Sequence, residues 1–122
     1  MESKDYRDNS KITAGLERIL ESAGFTQSAQ LKRFLKHLVE CQLAGDTERL
    51  KESLLGIEVF GRGSTYDPRV DPVVRVEARR LRAKLDEYYS GVGASEPVRI
   101  ELPKGGYVPS FTVREEPKVV TE

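Results

Sequence analysis

The chain has 122 residues, 38% hydrophobic and 33% charged, with 20 Lys and Arg against 20 Asp and Glu, a length that suits one domain and a composition unlike that of a disordered polyelectrolyte. A formal net charge of zero excludes a uniformly basic nucleic-acid coat. One Cys excludes an internal disulfide and most cysteine metal sites, and one His leaves little for a histidine metal cluster or a histidine-based relay.

No apolar run approaches the roughly 18 to 20 residues of a membrane span, and the Met1-Glu2-Ser3-Lys4 start lacks the apolar core of a signal peptide. The expected address is the cytoplasm. Charge is unevenly spread: residues 1–61 carry 9 basic and 10 acidic side chains, 62–85 carry 7 and 3, and 86–122 carry 4 and 7. The excess of positive charge lies in 62–85. Such a local basic face matters more than the total, because counterion release depends on the cations that touch phosphates.

Residues 1–9 are polar and expected to be a flexible N-terminus. Ser10 then precedes Ile12, Leu16, Ile19, Leu20 and Ala23, a helical spacing that closes at Gly24 and predicts a short amphipathic helix. A second helix is expected from near Ser28 to Gly45, with Leu31, Phe34, Leu35, Leu38 and Val39 on one side and Lys32, Arg33, Lys36 and Glu40 on the other. His37 and Cys41 belong to it. A third helical segment covers about 50–60, with Leu54, Leu55, Ile57 and Phe60 as its apolar side. Its interior Gly56 costs about 1 kcal/mol against Ala, which points to close packing by a neighbour.

Residues 61–68 form a loop by composition. Asp71 can then accept orphan amide hydrogens as an N-cap, and Pro72 has the preset φ of a first helical turn. The predicted helix 72–89 has apolar positions Val74, Ala78, Leu81, Leu85 and Tyr88, one narrow stripe. After a polar linker, Val98, Ile100 and Leu102 alternate with Arg99 and Glu101 as in a strand with one buried face. Pro103-Lys104-Gly105-Gly106 is a turn, and 107–113 is the returning strand, with Tyr107, Pro109, Phe111 and Val113 on one face. The hairpin 98–113 closes a domain spanning 10–113, and 114–122 is expected to be a flexible tail or linker. There are no internal repeats.

This fold class is mainly α with a small β-hairpin, in the order of a winged helix-turn-helix with an extra N-terminal helix. From about residue 31 to 111 the sequence resembles the winged-helix effector domain of OmpR-type bacterial response regulators. Val59-Phe60-Gly61 is similar to the close of that family's second helix, Arg80-Leu81-Arg82 and Lys84-Leu85 to its recognition-helix signature, and Lys104-Gly105-Gly106-Tyr107 to the Gly-x-Gly-Tyr of its wing tip, except that Gly105 and Gly106 are adjacent here. The family opens with a small antiparallel sheet where this chain is expected to have a helix, and its receiver domain has no counterpart within these 122 residues. The chain is also similar to winged-helix segments placed ahead of sensor or repeat domains in larger bacterial proteins. The resemblance implies binding to double-stranded DNA by a bacterial transcriptional regulator or its DNA-binding module, with helix 72–89 in the major groove and the hairpin as wing.

A helical wheel gives the same surface its chemistry. With the apolar stripe at zero, Arg75, Arg79 and Arg82 fall between about 80° and 140°, Val76 and Ala83 near 180° to 200°, and Arg80 near 240°. A strip of small apolar residues bordered by arginines lets a helix approach a major groove closely. Arg75, Val76 and Arg79 are the candidates for base edges, Arg69, Arg80 and Arg82 for phosphates, and Lys104 for backbone or minor groove from the wing. The competing reading is a solvated helix face, with Glu77 pairing Arg80, or a protein-interaction surface for an adaptor or signalling partner. A module of this size and charge binds DNA weakly, so a homodimer or a larger parent protein is expected.

Other chemistry is weaker. His37 beside an apolar stripe reads as structural. Cys41 reads as a small core residue, Lys104-Gly105-Gly106 lacks the spacing of a phosphate loop, and Tyr88 and Tyr89 read as core caps or a dimer contact. No carboxylate pair suits acid and base roles. The sequence gives no reason to expect an enzyme, a cofactor, a metal or a small-molecule substrate.

Overall fold

The computed structural model describes residues 2–113, with side chains described from residue 9. Within them are five α-helices and a two-stranded antiparallel sheet: α1 Glu2–Leu20, α2 Ala23–Thr26, α3 Ala29–Leu43, α4 Glu52–Glu58, α5 Val73–Ser90, β1 Val98–Glu101 and β2 Ser110–Val113. A short 3-10 turn, Thr47–Arg49, leads into α4. The expected tail 114–122 lies outside the described residues. None of the described helices is long and apolar enough to cross a membrane.

The first helix is longer than its spacing suggested, starting at Glu2 rather than after Ser10, so Ser10 is an interior residue and not a cap. Ile12, Leu16 and Ile19 are buried as expected. Gly24 is not the stop. The chain breaks at Leu20, where the Ser22 hydroxyl donates to the Ile19 carbonyl at 2.6 Å, and the single turn of α2 then delivers Phe25 to the core at 1% exposure.

Local chemistry sets α3 as predicted. The Ser28 hydroxyl accepts the Leu31 amide at 3.2 Å, satisfying one orphan donor of the first turn, and Leu31, Phe34, Leu35, Leu38 and Val39 are all buried. Gly45, at φ 80°, ends the run in the left-handed region that a side chain disfavours.

Helix α4 is shorter than the 50–60 segment, and its inward face differs. Leu55 and Gly56 point inward, followed by Val59 and Phe60, while Leu54 and Ile57 stand exposed. Phe60 meets Phe34 edge to face, with centroids 4.9 Å apart. Gly56 faces the ring of Tyr66, and a Cβ there would fall inside that ring. Tyr66 in turn donates its hydroxyl to the Asp71 carbonyl at 3.3 Å, and Arg62 Nε bonds Asp71 Oδ2 at 2.7 Å. The long α4–α5 connection is therefore pinned at several points.

Asp71 helps to start α5 one residue away from its expected place. Pro72 occupies the cap position, and Asp71 Oδ1 accepts from the Val73 amide at 3.2 Å. The predicted stripe of α5 is buried throughout, and Glu77 and Tyr89 join it. In the hairpin, Val98 pairs with Val113 and Glu101 with Ser110. β1 alternates as expected, but the returning strand starts at Ser110 rather than 107, and Val113 is exposed. Its expected one-sided apolar face is thus only partial: Tyr107 and Phe111 are half-buried against the core.

Helix α1 packs on β1 and on α3. Arg18 reaches Glu96 at 2.7 Å and 2.8 Å through two nitrogens, and Tyr88 donates to the same carboxylate at 2.8 Å. The Arg18 guanidinium, with help from the Tyr88 hydroxyl, holds the Glu96 carboxyl below its ordinary range despite partial burial.

Two outcomes follow. Gly56→Ala overpacks the Tyr66 contact and lowers unfolding stability by about 1 to 3 kcal/mol, whereas Gly63→Ala, with open space around it, stays within about 0.5 kcal/mol of the parent; urea unfolding measures both. Because the Glu96 pKa is depressed on folding, its contribution is present at neutral pH and is lost as pH falls through the folded-state value. Glu96→Gln therefore destabilises at pH 7 and converges with the parent in acid, as thermal melts across that range would register.

Candidate nucleic-acid interface

The surface is set by what packs around α5, which is contacted by α2, α3, α4 and β1. Val74, Ala78 and Leu81 are fully buried and Leu85 nearly so. On one flank Lys84 and Tyr88 face α2 across Gly24 and Phe25. On the other lie α4 and the hairpin loop. The outward strip comprises Val76, Arg79, Arg80 and Ala83, all exposed, then the acidic Asp86 and Glu87 toward the C-terminal end. Only the first three turns therefore present positive charge.

The arginines predicted for this surface differ in their surroundings. Arg75 Nη1 bonds Glu52 Oε2 at 2.6 Å and its Nη2 donates to the Pro68 carbonyl at 3.0 Å, so both terminal nitrogens tie α5 to α4 and to the preceding loop. Arg82 turns toward the hairpin: Nε donates to the Leu102 carbonyl at 2.9 Å, and Nη2 to those of Pro103 and Gly106 at 3.2 Å and 3.1 Å. Arg80 Nη1 bonds both Glu77 oxygens at 3.1 Å, leaving Nε and Nη2 outward. Arg79 is exposed, and among the described residues it makes no hydrogen bond or ion pair. Arg69 is the most exposed of the paired cations at 89%, held by Asp67 at 3.2 Å; that bond draws the Asp67 carboxyl below its ordinary range.

Val76 is 41% exposed at the centre of the strip. Lys104 stands exposed on the hairpin loop, where Gly105 takes φ 93°, a turn geometry that suits glycine. Carbonyls on both sides of Lys104 accept from Arg82, so the loop is docked against α5. Tyr107 completes the junction: burial pushes its phenol up, Glu52 adds to the shift, and Arg75 and Arg82 oppose it. These four groups occupy one neighbourhood where α4, α5 and the loop meet.

Arg79, Val76 and Arg80 are thus brought together on an open face, with Lys104 on the loop docked beside it. Arg75 and Arg82 lie at its edge as ties. Sequence reasoning anticipated the Arg80–Glu77 pair, three residues apart, but missed Glu52 as the partner of Arg75 at 23 residues' separation. It also missed Gln42, whose amide donates to the Pro109 carbonyl at 3.1 Å and fastens α3 to the hairpin.

The second polar cluster lies elsewhere. His37 Nε2 is 3.3 Å from Glu58 Oε1 and 3.6 Å from Cys41 Sγ, linking α3 to α4. Burial pushes the Cys41 thiol up, away from the reactive thiolate. Among the described residues no group of three or more His, Cys, Asp or Glu could hold a metal ion. Comparison with protein-family models, curated proteins and solved structures finds no match.

Arg82→Ala releases three carbonyls. Hydrogen bonds to charged groups are worth about 1.5 to 3 kcal/mol each in favourable cases, and here solvent can replace part of them, so a loss of about 1 to 3 kcal/mol is expected. Amide exchange of residues 104–107 accelerates, and Arg82→Lys does not restore it because an ammonium lacks the planar fork. Arg79→Ala leaves both stability and exchange at the parent level.

Proposed function

We propose that this chain is a winged-helix DNA-binding domain of the OmpR-type kind, a bacterial transcriptional regulator or the DNA-binding module of one. Helix α5 enters the major groove of double-stranded DNA with its first three turns, and the hairpin loop serves as the wing. The observation that carries this reading is the docking of the Lys104 loop on α5 by Arg82, beside an exposed strip of Val76, Arg79 and Arg80. A small apolar centre with cations on either side suits close approach to base edges and phosphates.

In this reading Arg69, Arg80 and Lys104 contact phosphates. Arg69 is held only by an exposed pair with Asp67, which solvent screens and which is readily exchanged. Arg80 keeps Nη1 on Glu77 and offers its other edge. Zero net charge makes a single copy a weak binder, so dimerisation or a larger parent protein supplies the rest of the affinity.

A second reading, a protein-interaction domain that does not bind DNA, draws on the same ion pairs: Arg69, Arg75 and Arg80 each already face a carboxylate, which mutes the positive field.

Fluorescence anisotropy with a labelled mixed-sequence duplex separates the two. The DNA reading expects binding at low salt. Three phosphate-neutralising cations make affinity fall roughly fortyfold between about 50 and 200 mM salt. Lys104→Ala lowers the salt slope by about one. Absence of binding at low salt by the folded protein refutes this reading and leaves the protein-interaction one.

A further inference from the structure

We infer that sequence reading by this face is concentrated in Arg79, which donates both N–H groups of one guanidinium edge to N7 and O6 of a guanine, while Arg75 and Arg82 act as positioning residues. The inference rests on the DNA-binding reading and deepens it by naming the base and the side chain that reads it.

A bidentate contact with guanine needs two parallel donors from one guanidinium edge and a charge not already compensated. On the exposed part of α5 the arginines do not meet that requirement equally. Both terminal nitrogens of Arg75 are engaged, one by Glu52 and one by the Pro68 carbonyl. Arg82 has one edge, Nε and Nη2, filled by loop carbonyls. Withdrawing either from its partners would loosen α4 or the hairpin loop, the elements that give the face its shape.

Arg80 has a free edge but a compensated charge. Glu77, whose side chain is 10% exposed, accepts twice from Arg80 Nη1. A carboxylate so little hydrated needs that cation nearby, so Arg80 is held toward the Glu77 side of the helix and suits a phosphate at the groove wall. Arg79, on the opposite border of the Val76 strip, has every donor unused among the described residues. Its two neighbours in the strip, Val76 and Ala83, are too small to hold the helix away from base edges. One guanidinium free in charge and geometry, on the border of a close-approach surface, assigns the base contact to Arg79.

The test selects a duplex from a randomised pool with the full chain, then compares that duplex with copies in which single guanines are replaced by 7-deazaguanine, which lacks the N7 acceptor. Wild-type protein is expected to lose about ten- to a hundredfold in affinity at one guanine. Arg79→Ala binds the selected duplex more weakly and is indifferent to that replacement. Arg75→Ala and Arg80→Ala keep the full sensitivity, and circular dichroism shows that each variant is folded. Sensitivity retained by Arg79→Ala, or lost in Arg75→Ala or Arg80→Ala, overturns the assignment while leaving DNA binding intact. A pool that yields bound duplex but no enriched guanine overturns it as well, whereas no bound duplex at low salt refutes the DNA reading itself.

Discussion

The arrangement depends on α5 being enclosed on most of its circumference. Its apolar stripe is narrow, yet α2, α3, α4 and β1 all pack against it. Burial consequently extends beyond the stripe to Glu77 and Tyr89. Tyr89 is accommodated because its hydroxyl accepts the Ile100 amide at 2.8 Å and Arg99 lies over its ring at 4.8 Å. Burial pushes that phenol up to about 12, so it stays neutral throughout the physiological range. Enclosure leaves solvent only one strip of α5, and any partner engaging this helix must do so through that strip.

Enclosure also sorts the charges. Seven basic residues in 62–85 suggest a strong local field, but most are used internally and to different degrees. Exposed pairs such as Arg69–Asp67 are screened by solvent and cost little to break. The Arg80–Glu77 pair is different, since separating it leaves a largely desolvated carboxylate without its cation, a change of several kcal/mol in buried cases. Arg82 is committed in another way, because its partners are carbonyls of a loop with no other tie to α5 of comparable number. The cations on this surface are therefore graded, from free through exchangeable to fixed, and zero total charge conceals the gradation.

The parts of the fold that depend on local chemistry were legible in the sequence. The Ser28 cap, the α5 stripe and the alternation of β1 each need only a few neighbouring residues, and each is present, while Gly56 signalled close packing without naming Tyr66 as its source. Boundaries governed by tertiary packing were less legible. Leu54 and Ile57 looked like core by hydrophobicity, but the approach of Tyr66 to Gly56 fixes the rotation of α4 and turns them outward. The start of β2 was placed too early because Tyr107 and Pro109 carry an alternating pattern while the chain is still in the loop. For the surface, the wheel placed Arg75, Arg79 and Arg82 on one border of the strip, all as DNA contacts. They differ because of α4 and the hairpin loop, and contacts over 20 to 24 residues leave no periodic trace.

Helix α1 takes part in holding the hairpin in place. A two-stranded hairpin alone is marginally stable in water, so β1 and β2 require support. Here α1 packs against β1, the Arg18–Glu96 pair anchors the segment entering the strand, Gln42 holds the segment entering β2, and Arg82 holds the loop between the strands. The hairpin is thus fastened to three separate helices before any ligand arrives. An interface made of two projections, a helix strip and a loop, gains affinity when their spacing is fixed in advance, because less ordering entropy is lost on binding. Helix α1 belongs to that bracing, and its role follows from the marginal stability of the hairpin it packs against.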